Sequence, residues 1–215
     1  MENANKTLKR IDVRRLVFTA LMAALSIVLS ETLKFKLPIM PSFMTFDFSD
    51  VPAMLASLTM GPVSGVTVCL IKNVFGCFTA STGCVGELSN FILSAALVLP
   101  AGIIAHMNDK ISLAVIGSVV GSILMALISI PSNYFLVFPA YSKAYGMPID
   151  AIVGLYQKIL PSVDSVMDCL VIFNMPFTFA KGGIAAIVSV VLYKKLRPIF
   201  NSLYREIRSE RAVGK

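Results

Sequence analysis

Residues 111–138 contain no charged side chain, an apolar stretch longer than the roughly 20 residues a helix needs to cross the hydrocarbon core of a bilayer. A chain in lipid must satisfy its backbone hydrogen bonds without water, and a helix does so from its own residues. Most of the sequence repeats this pattern. A first span is expected over 16–33, a third over 63–78, a fourth over 87–107, a fifth over 111–138 and a sixth over 166–196, with Pro176 inside it. Between the first and third, residues 51–60 read as a helix that ends at Gly61-Pro62 and is too short to cross unaided. It must lean on neighbours that complete its hydrogen bonding. The expected architecture is an all-α integral membrane protein of six transmembrane helices, with a short second helix and a long outer loop after the first. Composition agrees, because only 14% of the residues are charged, against about 25% in soluble domains.

Charge is concentrated at the two ends. Lys6, Lys9, Arg10, Arg14 and Arg15 precede the first span, and Lys194, Lys195, Arg197, Arg205, Arg208, Arg211 and Lys215 close the chain. Basic clusters beside membrane spans mark the cytoplasmic side, and six crossings put both termini there. The segment 106–110 then falls inside, and 31–50, 76–86 and 139–164 fall outside. Those outer segments set Glu31, Asp47, Asp50, Asp150 and Asp164 against Lys34, Lys36, Lys143 and Lys158, with no basic surplus. The net charge of +7 is thus accounted for without a nucleic-acid partner. One membrane domain is expected over 1–215: a basic cytoplasmic N-terminus (1–15), a six-helix core (16–196) and a basic cytoplasmic tail (197–215). The first span is too long for a cleavable signal peptide and lacks its small-residue cleavage site. No internal repeat of the kind found in secondary transporters is evident. None of Cys69, Cys77, Cys84 and Cys169 shows C-x-x-C spacing, so neither a zinc site nor a disulfide framework is indicated. Cys77 and Cys84 flank a short outer loop and are taken as small hydrophobes.

Polar groups at membrane depth are costly, and each is a candidate for function. Lys181 lies five residues past Pro176 and shares a helix face with Asn174 and Thr178, at spacing i, i+4, i+7. It either donates to a ligand in a buried cavity or pairs with a carboxylate such as Glu87. Glu87, Asn90 and Ser94 share a face near the outer mouth of the fourth span, where Glu87 also suits the helix N-terminus. Asn133 stands near the outer end of the fifth span, on the face of Ser122 and Ser129, as a ligand contact or as interhelical glue. Lys72, beside Asn73, is expected to reach the interface by its long stem. Ala20 and Ala24 form a small-xxx-small pair that lets another helix approach closely. The single histidine, His106, sits at an inner helix end, and no catalytic signature or nucleotide-binding loop occurs. Neither an enzyme nor a self-energised pump is indicated.

The blocks Phe46-Asp-Phe-Ser-Asp-Val-Pro-Ala53, Gly61-Pro-Val-Ser-Gly65, Leu70-Ile-Lys-Asn73, Ser81-Thr-Gly-Cys-Val-Gly-Glu-Leu-Ser-Asn-Phe91, Ser132-Asn-Tyr-Phe135, Pro139-Ala-Tyr-Ser-Lys143 and Pro176-Phe-Thr-Phe-Ala-Lys-Gly182 resemble the riboflavin-specific S components of energy-coupling factor (ECF) transporters. The likeness covers almost the whole chain between Val13 and Pro198. It implies a six-helix subunit in the plasma membrane of a bacterium that binds riboflavin from outside, with flavin mononucleotide a second candidate ligand and no cofactor. Such a subunit works with a transmembrane coupling protein and two ATP-binding-cassette ATPases, and topples in the membrane to release the vitamin inside. Carried over residue by residue, Ala20 and Ala24 would contact the coupling protein. Met44, Thr45, Phe46 and Asp47 of the first outer loop would cover the ligand, and Asn133 and Lys181 would hold it. Glu87, Asn90, Asn174 and Thr178 complete the candidate binding set, and Phe46, Phe177, Phe179 and Tyr141 are available to cover a flavin face. Thr178 departs from the asparagine usual in the family, losing an amide's paired donor and acceptor, a loss that Asn174 one turn earlier is placed to offset. The alternatives are an S component for another heterocyclic vitamin, or a channel or secondary carrier.

Overall fold

The shortest predicted helix occupies the centre of the molecule. In the computed structural model the described residues are 13–36, 40, 45–80, 84–108, 110–146 and 148–213, with the backbone alone for residues 14, 144, 145 and 199–213. Met44 and the basic residues Lys6, Lys9 and Arg10 lie outside the described residues. Helix α1 spans Val13–Thr32, α2 Asp50–Met60, α3 Pro62–Thr79, α4 Val85–Ala105 and α5 Ile111–Ser132. A π-helical turn, Asn133–Val137, continues α5 directly into α6, Phe138–Tyr145. Then come α7, Ile149–Gln157, and α8, Val166–Cys169, which runs through a second π turn, Leu170–Asn174, into α9, Met175–Val213.

Five stretches among the described residues are long and apolar enough to cross a membrane: Arg15–Thr32, Pro62–Thr79, Val85–Ala105, Ile111–Lys143 and Val166–Pro198. Of the six expected transmembrane helices, the second falls outside this set. Helix α2 is 11 residues long, roughly 16 Å at 1.5 Å per residue. Asp50 to Leu58 are all buried, and α1, α3, α4 and α9 pack around them. Hydrogen bonds tie the two ends of α2 to its neighbours. Ser57 Oγ donates to the Val98 carbonyl at 2.6 Å, Ser189 Oγ donates to the Val51 carbonyl at 3.1 Å, and the Ser26 hydroxyl donates to the Ser49 carbonyl. The interior is largely apolar, as in a soluble protein, but here the outer surface is apolar as well. Leu16, Val17, Leu21, Leu25 and Val28 of α1 face outward, while Ser26, Ser57, Ser94, Ser118, Ser122, Ser129 and Ser189 are buried. In lipid there is no hydrophobic gain from bringing helices together, so close packing and interhelical hydrogen bonds hold them.

The fifth span continues past its expected end at Phe138, and the sixth starts at Val166 as expected; both pass through a π turn two residues before a proline. The Phe138 amide donates to the Asn133 carbonyl just before Pro139, and the Met175 amide donates to the Leu170 carbonyl just before Pro176. A proline ring clashes with the carbonyl four residues back and lacks an amide. The wider turn accommodates that ring without ending the helix. The predicted loop 139–164 accordingly contains α6 and α7, and the backbone of the expected tail is helical to Val213.

At one end of the bundle, Arg15 Nε donates to Ser64 Oγ at 2.8 Å, and His106 Nδ1 lies 2.9 Å from the Gly102 carbonyl, closing the end of α4. At the opposite end, described residues from the two ends of the α1–α2 connection meet. Phe35 and Phe46 pair through their backbones at 3.0 and 2.9 Å, and their rings pack with Phe48 and Phe177.

Candidate functional site

Two intramembrane lysines require partners, and the start of α2 supplies them. Lys181 of α9 and Lys72 of α3 are both buried, as are Asp47, just before α2, and Asp50 in its first turn. Lys181 Nζ donates to Asp47 Oδ2 at 2.9 Å and stands 3.6 Å from Asp50 Oδ2. Lys72 Nζ donates to Asp50 Oδ1 and, at 2.8 Å, to Ser49 Oγ. Ser94 Oγ of α4 donates to Asp50 Oδ1 at 2.6 Å. Asp47 Oδ1 accepts from the Ser49 amide at 2.9 Å and from the Ser49 hydroxyl. Two carboxylates and two ammonium groups make an electroneutral cluster joining four helices and the segment before α2. Buried charges persist only when paired in this way.

Beside the cluster lie two adjoining hollows that share Thr45, Gly86, Asn90 and Tyr141. The smaller, about 130 Å³, runs down between α4, α5 and α9 and is lined by Ser89, Leu93, Met125, Asn133, Val137, Phe177, Thr178 and Lys181 as well. The larger, about 300 Å³, opens toward Glu31, Lys34, Asp47, Lys72, Asn73 and Glu87. Together they fall in the range of roughly 300–1,000 Å³ typical of small-molecule sites. The π turn holds Asn133 and Val137 on the smaller hollow with Tyr141 of α6. Glu87 lines the α3–α4 side of the larger hollow, and its Oε2 is buried without a hydrogen-bond partner among the described residues. Apolar walls with convergent donors and acceptors suit a flat, partly polar organic ligand.

The structure gathers Thr45, Asp47, Glu87, Asn90, Asn133, Thr178 and Lys181 around this space. It does not bring Phe46 or Asn174 to the lining. Phe46 is buried in the aromatic cluster. Asn174 Oδ1 accepts from the hydroxyl of Tyr156 in α7 at 2.8 Å. Two expectations for lysines are corrected. Lys181 pairs with Asp47 and Asp50 rather than Glu87, and Lys72, instead of reaching the interface, is buried against Asp50. Asn133 Nδ2 donates to Ser129 O of its own helix at 2.7 Å. Asp50 and Ser49 are the residues of the cluster that sequence reasoning did not single out. Charge balance was the available signal, since two lysines at membrane depth call for two carboxylates, and Asp47 and Asp50 lie next to the most buried helix.

The sequence model of the family described as the substrate-specific component of ECF transporters matches residues 14–193. The riboflavin transporter RibU of Staphylococcus aureus (strain TCH60) is 29% identical over 194 residues, covering 90% of this chain and 96% of RibU. The riboflavin transporter FmnP of Bacillus subtilis (strain 168) is 30% identical over 193 residues, covering 86% and 93%. A solved structure of the S component of a bacterial ECF transporter superimposes with a TM-score of 0.66 at 30% identity, over 87% of this chain and 97% of the other.

Proposed function

The chain belongs to the substrate-specific components of ECF transporters, and on that premise we propose that it is the membrane subunit that captures riboflavin. The observation that carries the ligand assignment is the polar-lipped, apolar-walled hollow between α4, α5 and α9, in a chain similar to curated riboflavin transporters along nearly its whole length. Leu93, Met125, Val137 and Phe177 would cover the ring system. Thr45, Asn90, Asn133, Thr178 and Lys181 would meet its polar edge, with Asp47 and Glu87 toward the hydroxylated tail.

The same proposal includes an orientation. The end carrying Arg15 and His106 faces the cytoplasm, where basic flanks belong, and the hollow opens outward. Helix α2 then makes a sixth pass that covers only the inner half of the bilayer, and Asp47 with its cluster completes the outer half. A protein without a nucleotide-binding motif needs partners for energy, and the family relationship supports a coupling protein with two ATPases. Ala20 and Ala24 would be the contact, since both are exposed on the outward face of α1.

The test is the absorption spectrum of the purified protein together with a fluorescence-quenching titration. Flavin absorbance released on denaturation, and saturation near one equivalent per chain, are expected. A colourless protein that does not quench added riboflavin would overturn the ligand assignment.

A further inference from the structure

The α3–α4 connection holds chemistry that ligand capture does not use. Cys77 lies in the last turn of α3 and Cys84 is the residue that caps the start of α4. The Cys84 thiol donates to the Cys77 carbonyl at 3.6 Å. Both are half-buried, whereas Cys69 and Cys169 are buried in the bundle. Among the described residues, Cys84 is the only non-glycine with a positive φ, 68°, a conformation costly for a residue that has a Cβ. That backbone sets its sulfur against the end of α3. Both cysteines also line an apolar hollow of about 290 Å³ with Val85, Glu87 and Phe91, and Gly76 and Glu87, next to them, line the ligand hollow.

We propose that Cys77 and Cys84 form a disulfide that staples α3 to α4 at the rim of the ligand hollow. The proposal rests on the outward orientation given above, which puts this connection in an oxidising setting, and is independent of which vitamin is bound. The oxidant is a small-molecule or protein disulfide. One cysteine thiolate attacks it, forming a mixed disulfide and releasing one thiol. The second thiolate then attacks the protein sulfur of that mixed disulfide and releases the other thiol. Two protein thiols are thereby oxidised, one external disulfide is reduced to two thiols, and the cysteine protons end on the released sulfurs. Closing this short segment restricts the unfolded chain and fixes the rim where Gly76 of α3 and Glu87 of α4 stand.

The full-length protein, in detergent, is incubated with oxidised glutathione, quenched with N-ethylmaleimide and digested for mass spectrometry without reduction. The expected product is a linked Cys77–Cys84 peptide pair, with Cys69 and Cys169 alkylated only after denaturation. Oxidised protein should melt about 5 °C higher than reduced protein. Cys77→Ser should leave Cys84 as a stable glutathione adduct, and Cys84→Ser the converse, both variants retaining riboflavin binding. Stable glutathione on both cysteines of the native chain, or two thiols that survive the treatment, overturns the staple. Intact cells treated with a membrane-impermeant maleimide separate the two readings. A linked pair that resists labelling until an impermeant reductant is added supports both. Two thiols already free to label overturn the staple but leave the orientation standing. If label reaches them only after permeabilisation, the orientation fails, and the staple with it.

Discussion

Lys181 shows how a single buried charge is held. Its two carboxylate partners come from residues more than a hundred positions away in the chain, and without it Asp47 keeps only Ser49 and the more distant Lys72. Breaking a buried pair by removing one partner costs about 3–5 kcal/mol. Lys181→Met should therefore lower the ligand-free melting temperature by about 10 °C. Adding Asp47→Asn to that variant should recover part of the loss, because the stranded charge is removed with its partner. Unchanged ligand-free melting with weakened riboflavin binding would instead make Lys181 purely a ligand donor.

Helices meet through small residues, and the glycines differ in what surrounds them. A Cβ on Gly121 of α5 would collide with the Leu97 carbonyl of α4, whereas one on Gly183 of α9 would meet nothing within 4 Å. The same substitution should act in opposite directions at the two sites. Gly121→Ala forces α4 and α5 apart and should destabilise the protein by about 1–3 kcal/mol. Gly183→Ala gains helix propensity and should stabilise it by up to about 1 kcal/mol. Thermal unfolding of both variants in detergent checks this; loss of stability at Gly183 equal to that at Gly121 would mean that backbone approach is not what decides. The π turns belong to this scale too. They let α5 and α8 continue past Pro139 and Pro176 while Asn133, Val137 and Tyr141 stay on one hollow.

For the whole molecule the distinction is between what binds the ligand and what meets a partner. Ala20 and Ala24 are exposed on a helix face with Leu16, Val17 and Leu21 around them, away from the hollow. Replacing either with leucine should leave riboflavin affinity unchanged while abolishing uptake in cells, measured with labelled riboflavin. Equal loss of binding and uptake would mean the pair packs within the bundle. The broad architecture was legible from residue order alone, because a lipid solvent demands about 20 apolar residues for each full crossing and confines charge to the ends. Helices α1, α3 and α4 accordingly lie within two residues or so of their expected bounds at most termini, and the short α2 was anticipated. Hydrophobicity and spacing report which face of a helix is polar, but not which distant residue comes to meet it. Only the tertiary structure decided that Lys72 and Lys181 share two aspartates at the head of α2, that Tyr156 of α7 occupies Asn174, and that Phe46 turns into an aromatic cluster while Thr45 and Asp47 face the cavity. Each of those outcomes depends on packing between segments far apart in the chain, where burial makes an unpaired charge or amide too costly to leave alone.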